Sequence, residues 1–199
     1  FSNGGAIFNF GQGGGTSSPQ ITNATFAGNA AGSPLYGGGA IYNDADDTES
    51  ESTASPSIVN ATFTGNAAIA SGGAIYNDGD FGTASPSIAN TILWGNEADA
   101  DGDGDEIYNS DGTATLSHTI IEGGVNGSGV GGDANTDGGN NLDLDPLLSA
   151  PSSPAGPDGL FGTADDGLNV KLGSPALDAG NNTALPVDVL SRAPGTAVL

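Results

Sequence analysis

Cysteine and methionine are absent from the 199 residues, and only 2 Lys and Arg stand against 24 Asp and Glu. The first absence excludes disulfides and thiolate metal sites and leaves few oxidation targets, which suits a chain living outside the cell without crosslinks. The second gives a formal net charge of -22, a surface that repels nucleic acid and anionic membranes and attracts cations. No apolar run reaches the roughly 18 residues of a membrane span. The opening FSNGGAIF has neither a starting methionine nor a leader, which reads as a processed start.

What is plentiful is glycine, 35 residues, together with Asn, Asp, Ser, Thr and Ala. That mixture argues for turns and against long helices. With 36% hydrophobic residues the core is lean, and a slim elongated domain over 1–199 is expected.

Two phrases alternate along residues 1–125. GGAI(F/Y)N recurs with Ile7, Ile41, Ile75 and Ile107, at spacings of 34, 34 and 32. The second, P-x-I-x-N-x-(T/I)-(F/L)-x-G-N, recurs at Ile21, Ile58, Ile88 and Leu116. A constant unit with variable connections is the signature of a stacked repeat. Each unit holds three short strand-like pieces, such as Ser57 to Asn60, Ala61 to Thr64 and Ala74 to Asn77, broken by Asn, Gly or Pro. The expected fold is all-β, a right-handed parallel β-helix (β-solenoid) of about five to six coils with three short strands per coil. Residues 126–182 read as irregular acidic loops and a last coil, and 183–199 as an apolar tail.

Substitutions between units suggest which way side chains point. The position before the repeated Ile is Ala6, Ala40, Ala74 and then Glu106, which predicts an outward position and places the isoleucines inside by alternation. Phe26, Phe63, Leu93 and Ile121 are expected to stack inward, with Thr64, Trp94 and Glu122 outward. Three asparagine columns (Asn9, Asn43, Asn77, Asn109; Asn23, Asn60, Asn90; Asn29, Asn66, Asn96) read as corner ladders, because Asn tolerates left-handed backbone and its amide can bond the one above. His118 continues the second column, so a corner role outweighs catalysis. Asn23 and Asn60 match the glycosylation sequon but are expected to be inaccessible inward amides.

Three acidic loops are candidates for a hard cation, Ca²⁺ above all. Asp99, Asp101, Asp103 and Asp105 alternate with Ala or Gly; Asp158, Asp165 and Asp166 lie in GPDGLFGTADDG; Asp44, Asp46, Asp47, Glu49 and Glu51 form the third. The alternative is solvated loops that keep the molecule soluble. An outward stripe of Phe8, Tyr42, Tyr76 and Tyr108, with Trp94 beside it, could contact glycans or a neighbouring subunit, or could pack ring on ring. A lyase or polygalacturonase needs basic residues around a groove, and Lys171 and Arg192 both lie in the tail, so no enzyme is expected.

GGAI at 4–7, 38–41 and 72–75, paired with FAGN at 26–29 and FTGN at 63–66, resembles the GGA(I/L) and FxxN tetrapeptides of the polymorphic outer-membrane protein family and related bacterial surface β-helix proteins. LDLDPLL at 142–148 and GLNVKLGSPALDAGNN at 167–182 look like the final coil of large secreted proteins with such repeats and a C-terminal anchor. The resemblance implies extracellular or cell-surface display, bacterial or archaeal, often adhesion, and no catalytic residues. An uncapped first strand at Phe1 to Asn9 and an apolar tail with Val187, Val189, Leu190, Val198 and Leu199 lead to the expectation of a structural solenoid that self-associates head-to-tail, the tail completing the next subunit, into a calcium-stabilised fibre. The alternative is an adhesin or carbohydrate-binding module, and the third reading a polysaccharide-active enzyme.

Overall fold

A computed structural model describes residues 2–48, 51–99, 104–133 and 135–185. The architecture is all-β and its named strands pair in parallel, one sheet curling into half a barrel. Repeat 1 supplies β1 (Ile7–Phe10), β2 (Gln20–Ala27) and β3 (Ala30–Ala31); repeat 2 supplies β4 (Ile41–Asp44), β5 (Ser57–Thr64) and β6 (Ala67–Ala68). Repeat 3 follows with β7 (Ile75–Asp78), β8 (Ser87–Ala89), β9 (Ile92–Leu93) and β10 (Glu97–Ala98). Repeat 4 gives β11 (Ile107–Ser110), β12 (Thr115–Ser117) and β13 (Ile120–Ile121), and repeat 5 gives β14 (Val130–Gly132) and β15 (Thr136–Asp137).

Register follows the sequence repeat residue for residue. Ile7 faces Ile41, Ile41 faces Ile75 and Ile75 faces Ile107. On the second phrase Ile21, Ile58, Ile88 and Leu116 form one row, and Phe26, Phe63, Leu93 and Ile121 another. Both rows belong to one continuous core. Because a one-residue slip would turn every apolar side chain outward, this double row fixes the register.

The strand divisions differ from the expectation. In repeats 1 and 2 the second phrase is one strand of 8 residues that passes through a left-handed Asn23 or Asn60; it divides in repeats 3 and 4. The alanine pairs Ala30–Ala31 and Ala67–Ala68 add a short sheet that the sequence reading missed.

Two expected orientations are wrong. Ala40, Ala74 and Glu106 are fully buried, not outward. The N–H groups of Ala40 and Ile41 both donate to the Ala74 carbonyl, and those of Ala74 and Ile75 both to the Glu106 carbonyl. Two successive donors on one acceptor break the extended alternation, so both side chains turn inward. Thr64, also expected outside, is buried.

The segment expected as a last coil pairs differently. Leu142 continues the parallel stack on Ile120, but Leu148 and Val170 form an antiparallel bridge. Lys171 N–H donates to Leu147 and Ser149 N–H to Asn169, so 147–150 folds against 167–171 within the segment.

Candidate functional site

Stacking in register turns every repeated residue into a column, and the columns carry the chemistry of this molecule. Along the sheet β1-β4-β7-β11-β14, the rings of Phe8, Tyr42, Tyr76 and Tyr108 stack at centroid separations of 5.4, 5.3 and 5.3 Å. Tyr36 packs edge-on against Tyr76 at 6.2 Å. Tyr42 and Tyr76 are only 2% and 4% exposed. The column packs ring on ring, one of the two readings of the stripe, and Tyr42 and Tyr76 are covered where an outward position was expected; Phe8, at 51%, is open and Trp94 is half-buried.

Beside the rings runs a short acidic row. Asp44 and Asp78 are in register, and the Tyr42 hydroxyl donates to Asp78 Oδ2 at 2.7 Å. Burial pushes the Asp44 carboxyl up to about 6 against the help of the Asp46 N–H, and raises Asp78 as well. The Tyr42 phenol is held far above its ordinary range, first by burial and then by its bond to Asp78.

The asparagine columns are hydrogen-bonded ladders. Asn9 donates to Asn43, Asn43 to Asn77 and Asn77 to Asn109 at 3.0, 2.8 and 2.9 Å. This ladder stops at Asn109, whose buried Nδ2 has no hydrogen-bond partner, because Gly132 stands opposite it in β14. In the second ladder Asn29 donates to Asn66 and Asn66 to Asn96. Asn66 and Asn96 also bond the Phe26 and Phe63 carbonyls.

Glu106 ends that ladder by accepting from the N–H and the Nδ2 of Asn96. Burial pushes its carboxyl up to about 8, opposed by the Asn96 bonds and aided by Glu122 and Asp105. The sequence reading missed this role. Its signal was IEGG at 121–124, where Gly124 occupies the position of the expected asparagine.

The third column makes the corners. Asn23, Asn60, Asn90 and His118 have φ of 54, 58, 51 and 51°, and Asn140, not anticipated, continues them at 59°. His118 Nε2 meets Asn140 Nδ2 at 3.1 Å, consistent with a corner role. Asn90 is instead clamped by the backbone of Asn181, giving and taking one bond each. Asn23 is exposed, so the expected inaccessibility of its amide does not hold.

The acidic loops fare unevenly. Asp101, Asp103 and Glu49 lie outside the described residues, as do Val187, Val189, Leu190, Val198 and Leu199. Asp99 is exposed, and Asp105 Oδ1 accepts from the Ala98 N–H at 3.3 Å. Asp158 and Asp166 accept the N–H groups of Leu160 and Gly162, and Asp165 accepts the Thr163 hydroxyl, which lowers its pKa. Among the described residues no three acidic or histidine side chains converge on a common ion position. A shallow cleft of about 410 Å³ is lined by Glu97, Asp105 and Glu122 with Gly95, Asn96, Gly123 and Ser128; no basic side chain lines it.

Comparison with protein-family profiles, characterised proteins and solved structures gives no match.

Proposed function

We propose that the chain is a structural, non-catalytic β-solenoid of the cell surface: a right-handed parallel β-helix of three-stranded coils, like the bacterial surface proteins its repeats resemble, stacking head-to-tail into an extracellular fibre. The observation that carries this reading is the investment in columns. Tyrosine rings, two buried asparagine ladders and the corner residues all serve contact between successive repeats. Fold alone implies no activity, and no Lys, Arg or His lines the cleft. Calcium in the acidic loops, which would link fibre strength to the -22 charge, belongs to the same proposal.

Electron microscopy of purified protein with and without a calcium chelator tests it. Filaments with an axial repeat of roughly 25–30 Å, set by about 4.8 Å per repeat level, are expected, and they shorten or dissociate in chelator. Short single rods in both conditions overturn the fibre.

A second reading, an adhesin or carbohydrate-binding module, is favoured by the open ring of Phe8 and the half-buried Trp94. Glycan-array binding lost in Phe8→Ala or Trp94→Ala would establish it.

A further inference from the structure

Four tripeptides match the N-glycan acceptor pattern Asn-x-Ser/Thr: Asn23-Ala24-Thr25, Asn60-Ala61-Thr62, Asn126-Gly127-Ser128 and Asn181-Asn182-Thr183. The pattern alone does not rank them. Transfer to a folded chain also needs an amide at the surface, on backbone that can leave its neighbours to enter an enzyme. The structure separates the four on both counts.

Asn23 and Asn60 lie inside β2 and β5, between backbone that pairs at Thr22 with Val59 and at Ala24 with Ala61. The Asn60 amide is engaged on Asn23 Oδ1 at 3.0 Å, and β5 is held from its other side by β8 and β9. Asn181 is tied at both backbone groups, its N–H donating to Asn90 Oδ1 and its carbonyl accepting from Asn90 Nδ2. Its own Oδ1 takes the N–H and the hydroxyl of Thr183. The hydroxyl that completes this acceptor pattern is therefore already occupied.

Asn126 differs in each respect. It stands in the turn between β13 and β14 and is exposed together with Gly127 and Ser128. Among the described residues neither its amide nor the Ser128 hydroxyl has a hydrogen-bond partner. One backbone bond reaches into the tripeptide, from the Gly127 N–H to the Gly124 carbonyl, and at 3.4 Å it is long. The base of the turn is firm: Val125 is buried and its carbonyl accepts from Asn135 Nδ2 at 2.7 Å. The tip can thus extend into an enzyme while its base stays on the stack.

We infer that Asn126 is an N-glycan acceptor and that the other three matches are silent in the folded chain. The inference rests on the cell-surface reading, because such transfer serves secreted chains. The co-reactant is a saccharide carried on a polyprenyl phosphate or pyrophosphate. Asn126 Nδ2 attacks its anomeric carbon; the N–C bond forms as the C–O bond to phosphate breaks. The phosphate leaves with the electron pair, and the amide gives up one proton to a base of the transferase. Ser128, on the rim of the cleft with Glu97, Asp105 and Glu122, places the glycan beside that cleft.

The test incubates folded full-length protein with an oligosaccharyltransferase and a lipid-linked saccharide, beside a heat-denatured sample and a standard acceptor peptide. Lys and Arg number only 2, so the chain is cut at its acidic residues and the glycopeptides are sequenced by mass spectrometry. In the folded chain Asn126 is expected to reach at least about tenfold the occupancy of any other site, since the others must first break paired backbone or side-chain bonds. The denatured chain loses that selectivity. Asn126→Gln and Ser128→Ala each remove the glycan and leave the melting temperature unchanged, and Ser128→Thr retains it. A folded chain left bare at Asn126 by a transferase that modifies the standard peptide overturns the inference, as does equal occupancy of all four sites.

Protein recovered from its own cells separates this inference from the reading beneath it. Treatment of intact cells with an added protease reports whether the chain lies outside. A chain that the protease reaches, with Asn126 bare, overturns the inference and leaves the surface reading standing. A chain sheltered inside the cell overturns both.

Discussion

Glu106 closes the asparagine ladder by accepting two hydrogen bonds from Asn96, one from the backbone and one from the side-chain amide. Its carboxyl, with no surface exposed, is pushed up to about 8 by burial, and the Asp44 carboxyl up to about 6 for the same first reason. Both values lie above the roughly 4 of the unfolded chain. The folded state therefore holds these protons more tightly. The stability they contribute is complete below about pH 4, falls as pH rises through about 6 and is gone above about 8. The expected result is a melting temperature that declines as pH rises from about 4 to about 8 and levels off above that. Glu106→Gln keeps an acceptor for Asn96 without the charge, so thermal scans of this variant flatten between pH 6 and 8; an unchanged slope there would assign the decline to other groups.

Asn77 sits in the middle of the fully buried ladder, accepting from Asn43 and donating to Asn109. Asn77→Ala strands a donor on one side and an acceptor on the other. A loss of about 2–4 kcal/mol in denaturant unfolding is expected, since a buried polar group without a partner forfeits its hydration uncompensated. Asn60 is the contrasting case. Its φ of 58° is open to glycine, so Asn60→Gly costs little, whereas Asn60→Val, branched at a left-handed position, costs about 2 kcal/mol or more.

Tyr42 and Asp78 test whether the aromatic column is structural. Tyr42→Phe preserves the stack but removes the hydroxyl that donates to Asp78, and about 1–3 kcal/mol of stability should go with it. Tyr76→Ala opens a gap between Tyr42 and Tyr108 and should cost about 3–5 kcal/mol. Far-UV circular dichroism and denaturant melts separate this from a recognition role, in which the variants would fold as the parent does and lose only a ligand.

The repeat made most of this legible. Spacing alone placed Ile7, Ile41, Ile75 and Ile107 in one row and His118 at a corner, and pairing and backbone angles agree. What failed was local. Strict alternation does not hold at the start of β4 and β7, where two N–H groups share one carbonyl, so Ala40 and Ala74 are inward together with the isoleucines that follow them. Tyr76 is flanked by Tyr42 and Tyr108 and touched edge-on by Tyr36, a residue of the connection between β3 and β4 that no repeat predicts. Glu106 looked like evidence of exposure because its column elsewhere is alanine; its partner Asn96 belongs to the other phrase, and only three-dimensional stacking brings the two together.

Gly39 explains why the first phrase opens with two glycines. A Cβ built there would lie 1.9 Å from the Gly73 carbonyl oxygen and 2.7 Å from the Ala67 nitrogen, both backbone atoms held by neighbouring strands. No rotamer relieves that contact, because the first carbon of any side chain is already too close. Gly73 is as tightly placed against Asp105, so the requirement follows the column and not one loop. Gly39→Ala is therefore expected to abolish cooperative folding or cost about 3 kcal/mol or more, by forcing adjacent repeats apart. Gly28 has nothing within 4 Å of a built Cβ and is left-handed at a φ of 66°, so Gly28→Ala should cost only about 1 kcal/mol. Thermal melts of the two variants side by side decide it: equal losses would mean that conformation, not close approach of the backbones, is what these glycines provide.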